Sequence, residues 1–316
     1  MKQKRPNILM IVTDDQGYAD MSCTGLGDDV NTPNMDKLAK KGIRFTNAYA
    51  TSPICSPSRM SLITGVYNQR FGTYWYGGKG IHDKQYKTIP ELLKPQGYTN
   101  GYVGKVHYGS PKYDSDPSRR NFPLNHGFDY FYGCTSARKH YLHHKTKYVE
   151  ELERKKKKYS DNKNWFVSLR QGPMWINRKK EDQEGLSTEL FGKQAREFID
   201  RNKNEPFYLQ LSFNAVHNFT HQLPEEYLEK HNLEGFYDWE PAKEKYMEWY
   251  RKGRKPNNPE GRAHYLGQLY YLDKEIGKVL DFLKENNLEK DTIVILMSDN
   301  GGSTPIYANN SPFRGS

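Results

Sequence analysis

A chain of 316 residues is long enough for one large core, and a mean hydropathy of −0.97 with 35% hydrophobic residues marks a polar globular protein rather than a membrane-spanning one. The 48 lysines and arginines exceed the 38 acidic residues by ten, so the surface favours anionic partners, whether sulfated glycans, phosphates or nucleic acid. No run approaches the roughly 20 apolar residues of a membrane span, Met1–Pro6 lacks the apolar stretch of a signal peptide, and three cysteines cannot form a disulfide framework.

In chain order, Asn7–Thr13 is a short β-branched run suited to a buried strand. Met35–Lys41 has helical spacing and stops at Gly42. Turn chemistry over Thr51–Pro53 leads into a short helical pattern ending near Gly65, which places Cys55 at a helix entrance. Tyr98–Val103 reads as the second strand. From Ser110 to Gly185, charge, Tyr, Pro and Asn replace periodicity, and the stretch reads as long insertions. Its basic runs, Arg154–Lys158 and Arg178–Lys180, read as solvated faces, with a polyanion groove as the sharper alternative. Thr188–Asn202 is helical, Phe207–Phe213 is a third strand, and residues 218–262 form a second insertion. Leu266–Asn286 sets Leu269, Leu272, Ile276, Val279, Leu280 and Leu283 on one face before a last strand, Thr292–Ser298. Strands alternating with helices, without repeats, predict one α/β domain over residues 1–316 with a sheet covered on both sides.

Ligands of such sheets sit outside the carboxyl ends of the strands. The first strand delivers Asp14-Asp15 there and the last delivers Asp299-Asn300-Gly301-Gly302. Carboxylates gathered at one edge repel one another unless a cation neutralises them. An all-oxygen set with an amide carbonyl suits Ca²⁺, or less well Mg²⁺, rather than zinc. Each pair taken alone is as readily a helix cap or turn; together, at two strand ends, they indicate a metal site. Lys105 and His107 follow the second strand and His217 follows the third, each adding a cation or proton carrier to the same edge. The remaining histidines, including His126, His221, His231 and His264, are expected to be structural. Of Cys23, Cys55 and Cys134, one pair is free to bridge, leaving a thiol with a separate purpose.

An isolated cysteine is most often a small buried residue, but Cys55-Ser56-Pro57-Ser58-Arg59 has the form Cys-x-Pro-x-Arg. This closely resembles the modification signature of type I sulfatases, in the alkaline-phosphatase superfamily, where the cysteine becomes formylglycine. The likeness continues in family order through Pro6–Asp15, Thr32-Pro33-Asn34-Met35-Asp36, Gly104-Lys105-Val106-His107, Gly127–Gly133 and Ser298–Gly302. Val106 departs from it, standing where many relatives carry Trp.

The resemblance implies an alkaline-phosphatase-like, mostly parallel sheet between helices. It also implies a smaller C-terminal subdomain and a substrate-binding lysine that lie beyond the segment ending at Ser316. It implies that Asp14, Asp15, Asp299, Asn300 and modified Cys55 hold Ca²⁺, while Arg59, Lys105, His107 and His217 line a sulfate site. A hydrated aldehyde would attack sulfur, His217 would protonate the leaving oxygen, and His107 would remove the proton that lets the aldehyde re-form. The implied partners are a sulfated sugar, from a glycosaminoglycan or algal polysaccharide, and a formylglycine-generating or anaerobic sulfatase-maturating enzyme, with no nucleic acid and no membrane span. The implied location is periplasmic or secreted. Two other functions compete: a phosphomonoesterase or phosphodiesterase on the same scaffold, and a non-catalytic protein that binds sulfated glycans. Tyr74, Trp75, Tyr76, His140, His143 and Trp175 are candidates for sugar-stacking walls, though loop aromatics more often pack on their own domain.

Overall fold

A computed structural model describes residues 5–82, 84–135, 141–143, 174–235 and 244–314. His140, His144 and the basic run at 154–158 lie outside the described residues, as does the side chain of His143. Nine strands are described: β1 (Asn7–Thr13), β2 (Thr99–Lys105), β3 (Tyr130–Cys134), β4 (Leu142–His143), β5 (Met174–Ile176), β6 (Lys179–Glu181), β7 (Gly185–Leu186), β8 (Phe207–Ser212) and β9 (Thr292–Ser298). Seven form one sheet in the order β6-β5-β3-β2-β8-β1-β9, and β4 pairs with β7 separately.

β3, β2, β8, β1 and β9 run parallel, and β5 and β6 add an antiparallel edge. Helices cover both faces, as parallel strands buried on both sides require. Along β1, Leu9 and Ile11 enter a core shared with the helices Ser187–Asn202 and Gly261–Glu285. Met10 and Val12 enter a second core containing Met60 and Ile63 of the helix Cys55–Thr64. The alternation of strand side chains therefore feeds two hydrophobic layers from one strand.

The four predicted strands and the four helical patterns appear with small shifts at their ends, the last helix beginning earlier, at Gly261. The reading of Ser110–Gly185 as insertions is corrected in part, because β3, β5 and β6 belong to the main sheet. Arg178, Lys179 and Lys180 are exposed, in keeping with a solvated face. All three cysteines are free, so the suggested bridge is absent. Opposite β6 the sheet ends in β9, whose Ile293 and Ile295 are 49% and 38% exposed. Among the described residues no helix is long and apolar enough to cross a membrane.

Candidate functional site

Strand register brings the predicted residues together. Thr13 of β1 pairs with Ser298 of β9, so Asp14-Asp15 and Asp299-Asn300 leave the sheet at one level. Gly104 of β2 pairs with Ser212 of β8, and Lys105 is the last residue of β2. Gly104 has φ +114°, and an added Cβ would lie 1.8 Å from the Ser212 carbonyl oxygen, so only glycine permits this approach beside Lys105. Cys55 is the first residue of the helix Cys55–Thr64, where N–H groups lacking intrahelical partners and the positive end of the dipole favour an anion.

Arg59, one turn further on, is almost fully buried. Its Nε donates to Asp299 Oδ2 at 2.8 Å, its Nη1 donates to the Lys105 carbonyl at 2.9 Å and to Ser212 Oγ at 2.6 Å, and Nη2 lies 3.5 Å from Asp14 Oδ1. Lys105 Nζ pairs with Asp14 Oδ2. Burial alone would lower both cations' pKa values, but Asp299 and Asp14 reverse this for Arg59, as Asp14 does for Lys105, and both end above their ordinary values. Each therefore stays charged.

Asn300 Nδ2 donates to Asp15 Oδ1 at 2.6 Å, and the backbone N–H of Asp15 donates to Asp299 Oδ1 at 3.2 Å. His217 Nε2 lies 3.5 Å from Asp15 Oδ2, and its Nδ1 lies 3.0 Å from the Asn218 carbonyl. His107 is buried, with φ +52°, and Asp15 has φ +55°. Left-handed backbone at two such residues is sparsely populated and costs of order 1 kcal/mol each, so the surrounding contacts over-determine their placement.

The donor set fits a hard divalent cation. Ligand atoms of Asp14, Cys55 and Asp299 lie within 4.8 Å of one another, the one such group of three found among the described residues. Asn300 Oδ1 is buried and accepts no hydrogen bond, and Asp14 Oδ1 also accepts none. Three carboxylates against Arg59 and Lys105 leave a formal charge of minus one. A divalent ion would make it plus one, the complement of a singly charged sulfate monoester.

The structure thus gathers Asp14, Asp15, Cys55, Arg59, Lys105, His217, Asp299 and Asn300, with His107 two residues beyond Lys105 on the same loop. Of the histidines expected to be structural, His126 is fully buried with its pKa pushed down to about 4 by burial, and His264 Nε2 lies 3.0 Å from the Glu234 carbonyl. His231 stacks on Tyr227, with ring centroids 4.2 Å apart. Trp175 is 7% exposed and packs against Phe122, which removes it from the candidate sugar walls.

Several supporting residues escape a reading of the sequence. Ser58 donates from Oγ to the Asp299 carbonyl, and Ser212 holds Arg59 from the end of β8. Tyr141 donates to the Asn214 carbonyl at 2.9 Å and also meets the His217 carbonyl, pinning the loop that carries His217. The end-of-strand position of Ser212 was an available signal; nothing in the local sequence singles out Tyr141.

The sulfatase family's sequence profile, described simply as "Sulfatase", matches residues 6–316. The chain belongs to the sulfatase family. Arylsulfatase H of Canis lupus familiaris is 28% identical over 375 residues, an alignment that covers 100% of this chain and 60% of that protein. N-acetylgalactosamine-6-sulfatase of Mus musculus is 28% identical, over 94% of this chain and 51% of its own length. The crystal structure of Ps i-CgsB in complex with k-i-k-neocarrahexaose superposes with a TM-score of 0.77 at 30% identity, covering 99% of this chain and 62% of that one. The chain therefore spans between about half and three fifths of these relatives, and within that span the mostly parallel, helix-covered sheet is the family's alkaline-phosphatase-like fold.

Proposed function

We propose that this chain carries the catalytic centre of a sulfatase that cleaves sulfate monoesters on a sulfated carbohydrate. The observation that carries the reading is Cys55 at the first position of its helix, its sulfur within 4.8 Å of Asp14 and Asp299 ligand oxygens, with Arg59 one helical turn away. Burial pushes the Cys55 thiol up to about 12 against the opposing pull of Lys105, with Asp14, Asp299 and Asp15 adding to the rise, so an unmodified thiol is protonated and a poor nucleophile at neutral pH. The Cys-x-Pro-x-Arg sequence and the sulfatase match support instead oxidation of Cys55 to formylglycine, which when hydrated would supply a hydroxyl nucleophile.

Asp14, Asp15, Asp299, Asn300 and modified Cys55 would hold Ca²⁺, which would supply positive charge at the sulfate and make a bound hydroxyl more acidic. Arg59 and Lys105 add fixed positive charge in a site shielded from water, where it need not reorganise as the ester breaks. Arg59's planar fork also fixes the geometry of nearby oxygens in a way that lysine cannot. His217, whose Nδ1 meets the Asn218 carbonyl and whose Nε2 lies close to Asp15, would give a proton to the departing oxygen. His107 would take one from the nucleophile side after sulfur transfer.

A two-metal phosphatase is less well supported, since one candidate metal cluster occurs among the described residues. The sugar reading draws on the net charge of +10 and on neighbours whose names include a carrageenan-derived oligosaccharide and N-acetylgalactosamine 6-sulfate chemistry. Placement in the periplasm or outside the cell, and dependence on a maturating enzyme, go with it, as does treatment of residues 1–316 as one catalytic domain.

The test is mass spectrometry of the Cys55 peptide from a host with a formylglycine-generating or anaerobic maturating enzyme, alongside 4-nitrophenyl sulfate turnover. Formylglycine with turnover is expected; an unmodified thiol and no turnover in that host sinks the proposal.

A further inference from the structure

A run of exposed aromatics lies outside the site, in the loop that follows the helix Cys55–Thr64. Tyr74, Trp75 and Tyr76 are 67%, 60% and 53% exposed, and the Trp75 and Tyr76 rings lie 5.0 Å apart at 37°. Unlike loop aromatics that pack on their own domain, adjacent rings left in water form the kind of contiguous apolar patch that marks an interaction surface.

The loop is anchored at both ends. Asn68 Nδ2 donates to the Thr73 carbonyl at 2.7 Å on one side, and Asn121 Nδ2 donates to the Lys79 carbonyl at 2.9 Å on the other. It is also tied to the catalytic loop. Ser110 N–H donates to the Gly78 carbonyl at 3.0 Å, and a Cβ on Gly109 would lie 2.5 Å from that same oxygen. Gly109 is two residues from His107, and the three residues back from Gly78 to Trp75 span at most about 11 Å. The loop that carries the rings is thus anchored to the segment that carries His107.

Charge around them is one-sided. Arg70, Lys79, Lys84 and Lys87 are exposed on this segment, and Asp83 is its single acidic residue. An apolar ring surface with cations beside it suits a ligand that alternates C–H faces with anionic groups. A pyranose ring bearing sulfates has that make-up: its C–H face packs on an indole while its sulfates meet lysines.

We propose that Trp75 and Tyr76, flanked by Tyr74 and Lys79, form a stacking platform for a sugar ring of a sulfated polysaccharide, at a position beside the residue whose ester is cleaved. This rests on the sulfatase reading above and deepens it by naming where the chain beyond the sulfate is held.

The experiment measures binding of the intact chain to carrageenan, chondroitin sulfate and heparan sulfate by affinity electrophoresis, and in parallel its turnover of 4-nitrophenyl sulfate. Trp75→Ala is expected to weaken binding to at least one of the three by about tenfold or more while leaving aryl sulfate turnover unchanged. Lys79→Ala should weaken the same interaction and make it less sensitive to added salt than in the parent, because one fewer cation meets the sulfates. Binding to none of the three, or equal binding by the parent and Trp75→Ala, overturns the platform. So does a change in self-association alone, seen by ultracentrifugation, which would assign the rings to a contact between copies. Loss of aryl sulfate turnover in the parent strikes the sulfatase reading instead, and the binding result is read independently of it.

Discussion

Asp14 and Asp20 are six residues apart and equally buried, yet their surroundings differ in kind. Asp20 is matched: its Oδ2 accepts from Tyr265 at 2.6 Å and from the Asn309 N–H at 2.8 Å, and its Oδ1 lies 2.9 Å from Arg262 Nη1. Arg262 in turn grips Asp29 with two bonds of 2.8 Å, which lowers the Asp29 pKa. Asp14 stands instead in a crowd, with Asp15 and Asp299 close by, cations shared between acids, and an Oδ1 that lies 3.5 Å from Arg59 Nη2, against 2.9 Å between Asp20 Oδ1 and Arg262. A buried charge that is fully matched costs about as much as it returns and serves to fix the fold. A surplus of buried acceptors is costly unless something else is to bind there.

The largest expected effect comes from the surplus cluster. Cys55→Ala should lower 4-nitrophenyl sulfate turnover by roughly a thousandfold or more, because groups that act as a unit fail together. Its thermal midpoint should move by only a few degrees. Turnover that survives Cys55→Ala would remove the special role of this residue.

Next in size, His217→Ala should slow esters with poor leaving groups by roughly a hundredfold while changing activated aryl sulfates far less, since only the former need protonation. Equal losses on both would take His217 out of the acid role.

Asp20→Ala tests the matched cluster. Removing one partner leaves the Arg262 charge without its inner acid, a change that costs about 3–5 kcal/mol when a pair is buried. Because Arg262 is 24% exposed, the low end is expected. Urea denaturation should register the loss, with turnover per folded molecule preserved. A large loss of turnover at unchanged stability would erase the distinction between the two aspartates.

Calcium separates the clusters by a smaller margin. At a hundredfold excess over its dissociation constant, a ligand that binds only the folded state adds about 2.7 kcal/mol. Ca²⁺ should therefore raise the thermal midpoint of the parent and of Asp20→Ala, and should not raise that of Asp14→Asn or Asp299→Asn. A calcium shift that survives both of the latter substitutions would place the ion elsewhere.

The contrast between these clusters was half legible in the sequence. Asp14-Asp15 and Asp299-Asn300 stand out because β1 and β9 are β-branched runs of seven residues each, and a recognisable strand fixes where its terminal loop begins. Asp20 and Arg262 carry no such signal: one lies in a loop and the other near the start of a long helix, 242 positions apart, and only the fold shows them as partners. β3 hides for a related reason, since Tyr130-Phe131-Tyr132-Gly133-Cys134 lacks the branched residues that mark its neighbours. β5 and β6, at three residues each, are shorter than any periodicity can reveal. The motif around Cys55 was readable because several segments in family order supported it. The register that sets Lys105 and Ser212 around Arg59 was not.

His126 shows a third way to bury a titratable group, which is to give up the charge. Its Nδ1 lies 2.7 Å from the Arg120 carbonyl, its ring meets Tyr108 and Phe128 edge-on, and burial depresses its pKa from 6.5 to about 4. The unfolded chain then holds a proton that the folded chain lacks between those two values. Stability from this residue is fully present above about pH 6.5 and is lost as pH falls toward 4, with a slope of at most about 1.4 kcal/mol per pH unit. His126→Asn keeps a donor toward Arg120 but cannot titrate, so urea midpoints measured across this range should fall less steeply in the variant than in the parent. Parallel slopes would mean that the acid sensitivity arises from other groups, with the carboxylates around Asp14 the first to examine, because protonating them removes the charge that a cation requires.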